Sequence, residues 1–218
     1  MIITIDGPAG SGKSSAAKAL ARRLGFEFLD TGATYRAVAL AALRAGLSAH
    51  SGAALAELLA HLCLEMPPGG QVLLDGEDVG GLIRTPEVTA SSSELAAVPI
   101  VRQRLTELQR AIAAGRDLVC EGRDQGTVVF PDAGCKFFLT ASPEERARRR
   151  QREMEARGEL VDLVALRAAL EVRDKRDAER DVAPMRPAGD AVLLNSTELS
   201  LDEVVERMER EVRARRPA

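Results

Sequence analysis

The chain has 218 residues, 45% of them hydrophobic, and a formal net charge of −3. That is apolar material for one full core, or a core with a small appendage, and too little positive charge for a nucleic-acid or membrane-surface binder. No apolar run approaches the ~18 residues of a membrane span, and Met1 leads straight into a strand-like run, so neither an anchor nor a signal peptide is expected. Cys63, Cys120 and Cys135 are widely spaced, and His50 and His61 are the only two imidazoles. Zinc or disulfide scaffolding is therefore not expected, and small buried thiols in a reducing cytoplasm are.

Taken in order, Ile2-Ile3-Thr4-Ile5-Asp6 is an apolar, β-branched run with the character of a buried strand. It runs into Gly7-Pro8-Ala9-Gly10-Ser11-Gly12-Lys13-Ser14, followed by Ser15 and a good helix-forming stretch to Leu24. A strand, a G-x-x-x-x-G-K-[ST] turn and a helix together predict a phosphate-binding loop. Glycines allow successive backbone N–H groups to curl around phosphate oxygens, Lys13 adds a point charge at the β/γ-phosphates, and the Ser14 hydroxyl is a ligand for Mg²⁺. A nucleoside triphosphate site, formed by residues 7–15, is the expectation.

Gly25 reads as a helix stop, 26–29 as a second strand, and Asp30-Thr31-Gly32-Ala33-Thr34-Tyr35-Arg36 as a polar cluster at its end, before a helix over 37–45. Another helix is expected over 51–63. Between 62 and 84 the turn signals Pro67-Pro68-Gly69-Gly70 and Asp75-Gly76 bracket a short strand at 71–74, which predicts a small antiparallel insertion and a mobile subdomain. Helices follow over 85–97 and 99–114, then strands over 117–121 and 136–140. A capped helix starts at Ser142-Pro143-Glu144-Glu145, and a last strand over 191–195 precedes a helix over 201–213. Five strands alternating with helices predict an α/β protein with a parallel sheet covered on both faces.

Arginine supplies nearly all the positive charge, since only Lys13, Lys18, Lys136 and Lys175 are lysines. Two arginine patterns nonetheless stand out. Arg146, Arg149 and Arg150 share one helical face, where like charges repel unless an anion sits opposite. Arg173, Asp177 and Arg180 recur at i, i+4, i+7. Arg157-Gly158-Glu159 lies between the two patterns and reads as a break between two long helices, the geometry of a lid. Phosphoryl transfer needs an acceptor in line, Mg²⁺, and cations around the moving group, with water excluded. No general base is evident near the loop, which favours an acceptor that is itself an ionised phosphate.

The chain resembles the bacterial cytidylate kinases. The resemblance is carried by residues 5–14, by Leu29-Asp30-Thr31-Gly32-Ala33-Thr34-Tyr35-Arg36, by Gly76-Glu77-Asp78-Val79 and by Ile83-Arg84-Thr85-Pro86-Glu87-Val88. It continues through residues 121–133 and Arg173-Asp174-Lys175-Arg176-Asp177. It implies the P-loop nucleoside monophosphate kinase fold, with a core formed by 1–61, 85–145 and 171–218, an acceptor-binding insertion at 62–84 and a lid at 146–170. It also implies transfer of the ATP γ-phosphoryl group to CMP or dCMP with Mg²⁺ held through Ser14. Lys13 of the loop, with Arg146, Arg149 and Arg150 of the cationic face, is expected to be catalytic, and the resemblance adds the acceptor site. Thr31, Arg36 and Arg123 hold the acceptor phosphate with Arg180 near it, and Tyr35, Arg173 and Asp177 contact the ribose side. Ser93, Arg102 and Asp124 read the base. A carboxylate and a guanidinium complement the N4 amino donor and the N3 and O2 acceptors of cytosine, whereas uracil would set acceptor against acceptor.

The chain departs from the family pattern at Thr31, where serine is common, at Glu121, where aspartate occurs, and at Gln125, where methionine is common. A cytoplasmic monomer with small-molecule substrates, binding neither nucleic acid nor membrane, is the expectation. The competing readings are a UMP or shikimate kinase and a GTPase-like switch. The latter would need an Asn-Lys-x-Asp segment, but the only asparagine, Asn195, is followed by Ser196.

Overall fold

The computed structural model describes residues 1–67, 69–156 and 158–215. Pro68 of the expected turn and Arg157 of the expected break lie outside them. The chain divides into two compact units, one formed by Met1–Phe28 with the chain from Arg116 onward, the other by Leu29–Gly115.

Strand β1 (Ile2–Asp6) takes the middle of a five-stranded sheet with β2 (Glu27–Asp30), β6 (Leu118–Gly122), β7 (Cys135–Thr140) and β8 (Val192–Asn195). The order is β2-β6-β1-β7-β8, and β1 runs parallel to both neighbours. Ile3 and Ile5 are fully buried, as a strand covered on both faces requires. Helix α1 (Lys13–Leu24) and helix α8 (Leu201–Arg215) bury Leu20, Val205, Met208 and Val212 with β1 and β7 in one apolar cluster. Helices α6 (Pro143–Glu155) and α7 (Leu163–Glu179) pack on each other, with Ala147 and Leu170 in a small cluster that takes in Ala9 of the phosphate loop.

The second unit holds α2 (Thr31–Arg44), α3 (Gly52–His61), α4 (Pro86–Leu95) and α5 (Pro99–Ala113). An antiparallel sheet of β3 (Leu64–Glu65), β4 (Leu73–Leu74) and β5 (Glu77–Asp78) completes it, so the expected antiparallel element is present. Its core includes Val38, Ala42, Leu55, Leu59, Ile83, Leu95 and Leu105.

Several local readings change: of the three thiols expected to be buried, Cys63 is exposed, while Cys120 and Cys135 are buried. Helix α2 begins at Thr31 rather than at 37, because the Asp30 carboxylate accepts the Ala33 N–H at 2.9 Å and caps it. The helix expected from 85 starts at Pro86, with Thr85 as its cap, after a 3₁₀ turn at Leu82–Arg84. Arg180 falls just past the end of α7 in extended backbone, so only Arg173 and Asp177 of that trio are helical.

Candidate active site

Gly7 has φ +144°, and a β-carbon on it would lie 2.1 Å from the Leu139 carbonyl oxygen. Glycine is required there by crowding as well as conformation. Gly12, at φ +90°, is the N-cap of α1 and makes no side-chain capping bond, so the helix presents first-turn N–H groups to the loop.

Lys13 is buried, and its Nζ donates to the Pro8 carbonyl at 2.7 Å and to Ser11 Oγ at 3.5 Å. Burial first, then the neighbouring Arg123 guanidinium, lowers its pKa to about 7, against the pull of Glu121 and Asp6. A buried cation so placed is stabilised by an incoming anion. Ser14 Oγ donates to Glu121 Oε1 at 2.8 Å, which puts a hydroxyl and a buried carboxylate side by side. Hard oxygen donors of this kind suit Mg²⁺, which takes few protein ligands when phosphates supply the rest. An open cleft of about 380 Å³ continues from the loop, lined by Gly10, Gly12, Ser15, Arg149, Ser196 and Leu201.

The three arginines of α6 differ in what they touch. Arg146 is buried, and its Nη1 donates to the Ala9 carbonyl at 3.0 Å and pairs with Asp174, whose other oxygen accepts the Ala9 N–H at 3.0 Å. The Ala9 peptide is thus gripped from both sides. Arg149 donates to the Ser11 carbonyl at 3.2 Å, to Ser196 Oγ at 2.9 Å and to the Ser196 carbonyl at 2.7 Å. Arg150 pairs with Glu153 at 3.0 Å toward solvent. The like charges on this face are therefore separated by Asp174 and Glu145.

At the end of β6, Arg123 Nε donates to Asp177 Oδ2 at 2.9 Å. Burial works against its charge, but Asp177 and Glu121 more than offset it, holding the guanidinium above its ordinary pKa. Arg180 lies 3.5 Å from Asp124 and donates to the Ala183 carbonyl at 2.6 Å. Arg173 belongs to the same electrostatic group, adding to the lowering at Lys13. Residues Gln125–Val129 then form a π-helical turn, with the Phe130 N–H bonded to the Gln125 carbonyl at 2.7 Å. Such turns are rare and concentrate at functional sites.

In the second unit, Thr31, Tyr35 and Arg36 occupy the first two turns of α2. Arg36 Nη2 donates to Asp30 Oδ2 at 2.9 Å, and Arg84 approaches the same oxygen at 3.7 Å. Arg102 is buried, sits 5.7 Å over the Tyr35 ring and donates to the Ala96 carbonyl at 3.0 Å. Ser93 is half-buried on α4.

Sequence reasoning assigned no role to Asp6, Asp30, Arg84, Asp174 or Ser196. Asp30 carries a legible signal, a carboxylate at a helix start. The bonds of Asp6, Asp174 and Ser196 run to backbone groups 119, 165 and 185 positions away, which no local pattern announces.

The family model described as cytidylate kinase matches residues 3–214. A cytidylate kinase from Pseudomonas aeruginosa is 49% identical over 210 residues, covering 94% of this chain and 92% of that one. One from Rhodopirellula baltica is 50% identical over 213 residues, covering 98% and 93%. Among solved structures, a shikimate kinase from Acinetobacter baumannii in complex with shikimate superposes with TM-score 0.50 at 16% identity, covering 100% of this chain and 95% of that one. At that identity the likeness is one of fold.

Proposed function

This chain belongs to the cytidylate kinase family, and on that footing we propose how its residues divide the work of moving the γ-phosphoryl group of ATP to CMP. The protein is a phosphotransferase, a CMP kinase giving ADP and CDP. The shikimate kinase reading is not favoured. The observation that carries the site assignment is the loop itself: buried Lys13 beneath it, with Ser14 bonded to Glu121 on the neighbouring strand.

The triphosphate lies along residues 7–15, its negative charge met by loop N–H groups, the α1 N-terminus and Lys13. Ser14, with Glu121 beside it, would hold Mg²⁺, which would supply charge neutralisation to the triphosphate. Arg146 and Arg149 shape the loop through the Ala9 and Ser11 carbonyls. They and Arg150 are proposed as the cations that spread charge at the transferring group. CMP needs no general base, because its phosphate oxygen is already ionised near pH 7.

For the acceptor, the proposed residues are Thr31, Arg36, Arg123 and Arg180 for the phosphate, Tyr35, Arg173 and Asp177 for the ribose, and Ser93, Arg102 and Asp124 for the base. We propose dCMP as a second acceptor, a monomeric cytoplasmic protein, 62–84 as the acceptor-binding insertion and 146–170 as a lid that excludes water. The experiment is Asp124→Asn, with kcat/KM measured for CMP and UMP. A preference narrowed by roughly 1–3 kcal/mol supports base reading at Asp124. An unchanged ratio refutes it.

A further inference from the structure

Asp6 ends β1 immediately before the phosphate loop, yet its side chain turns to the π-helical turn that follows the neighbouring strand β6. Its two carboxylate oxygens accept the Gln125 N–H at 2.9 Å and the Gly126 N–H at 2.7 Å, and only 4% of the residue is exposed. Those two N–H groups open the π-helical turn that directly follows Asp124. The turn is also seated tightly. A β-carbon on Gly126 would lie 2.8 Å from Thr4 Oγ1, 3.2 Å from Lys136 Cδ and 3.4 Å from Asp6 Oδ2.

We propose that Asp6 is a positioning residue for acceptor selection: by holding the Gln125 and Gly126 N–H groups, its carboxylate fixes the backbone from which Asp124 reaches the acceptor base. The inference rests on the reading of Asp124 given above. Two donors on one buried carboxylate make charge-assisted bonds, stronger than neutral ones, and fix the turn in two directions. The charged and titratable groups facing Asp6 are Lys13 at the head of α1, Asp124 before the turn, and Cys120 on β6. A carboxylate is needed because both partners are donors. An asparagine in the same place offers one acceptor and turns an NH₂ toward the other N–H.

The test is Asp6→Asn beside Asp124→Asn and the double variant, with kcat and KM for CMP, UMP and ATP, and amide hydrogen exchange at Gln125 and Gly126. The expected result is a CMP-over-UMP preference narrowed about ten-fold by Asp6→Asn. It comes with a raised KM for CMP, a KM for ATP within about two-fold, no further narrowing in the double variant, and faster exchange at both amides. Asp6→Glu, which keeps the charge but lengthens the reach, replaces Asp6→Asn if the latter does not fold, and gives the same selectivity loss. Should Asp124→Asn narrow the preference while the Asp6 variants leave it at the wild-type value, the positioning role is overturned. Equal losses for CMP and UMP overturn it too, as a purely structural effect. If Asp124→Asn itself leaves the ratio unchanged, base reading at Asp124 is wrong. Slow exchange at both amides in Asp6→Asn would instead show that the carboxylate does not hold the turn.

Discussion

Ser14 on the first turn of α1 and Glu121 on β6 are joined by a 2.8 Å hydrogen bond, so the residue expected to meet Mg²⁺ is oriented by a strand that carries no part of the loop. A buried carboxylate that aims a hydroxyl acts on the metal through its partner. Glu121→Gln should raise the Mg²⁺ concentration for half-maximal rate by roughly 10- to 100-fold, the usual effect of losing an outer-shell partner. The measurement is initial rate against Mg²⁺ at fixed ATP, and an unchanged midpoint would detach Glu121 from the metal.

Lys13→Met separates activity from stability. Turnover should vanish with any acceptor, because the loop loses its charge at the phosphates. Stability should move the other way. Burial and Arg123 lower the folded-state pKa to about 7, while an unfolded lysine keeps its proton to about 10.5. The folded protein therefore bears a buried ammonium in full below pH 7, and wild-type stability gains from this group as pH rises from 7 toward 10.5. At pH 6 the variant should be more stable than wild type by roughly 1–2 kcal/mol, less than the full linkage since Pro8 and Ser11 lose a donor. The difference should shrink above pH 8 in urea denaturation. A variant less stable at pH 6 would mean that Lys13 supports the fold.

Gly7→Ala tests the crowding beneath the loop. The added carbon would stand 2.1 Å from the Leu139 carbonyl oxygen at a φ that side chains avoid. The expected loss is about 3 kcal/mol by chemical denaturation. A loss under about 0.5 kcal/mol would show that the loop adjusts freely.

Asp30 serves two ends in the second unit, as cap of α2 and as partner of Arg36. Asp30→Ala should cost about 2 kcal/mol, roughly one from the cap and one from the ion pair, and should raise the KM for CMP. Asp30→Asn retains a capping oxygen and should lose less stability while raising KM similarly. Equal KM values in both variants and wild type would free Arg36 from dependence on Asp30.

The chain showed most plainly those features whose physics is local. The glycine spacing of 7–14, the apolar run of β1 and the Ser142-Pro143 helix start depend on neighbours in sequence, and each is found where it was read. The start of α2 was misplaced although Asp30 is a good cap, because the polar cluster from Thr31 to Arg36 resembles a loop until its helical face is recognised. Arg146 and Arg149 stood out as a shared cationic face, but their contacts with Ala9, Ser11 and Ser196 could not be read, since those depend on how α6 packs against the loop. Asp6 was invisible for the same reason. A carboxylate at a strand end looks alike whether it faces solvent or two amides of a distant turn.

The most direct measurement is ADP release from ATP and Mg²⁺ across CMP, dCMP, UMP, AMP, GMP and shikimate, with the phosphorylated product identified. CMP and dCMP should be turned over well, UMP poorly, purine monophosphates more poorly still and shikimate not at all, with CDP as the product from CMP. Equal rates for all nucleotides, or turnover of shikimate alone, would contradict a kinase that selects its acceptor by the cytosine edge.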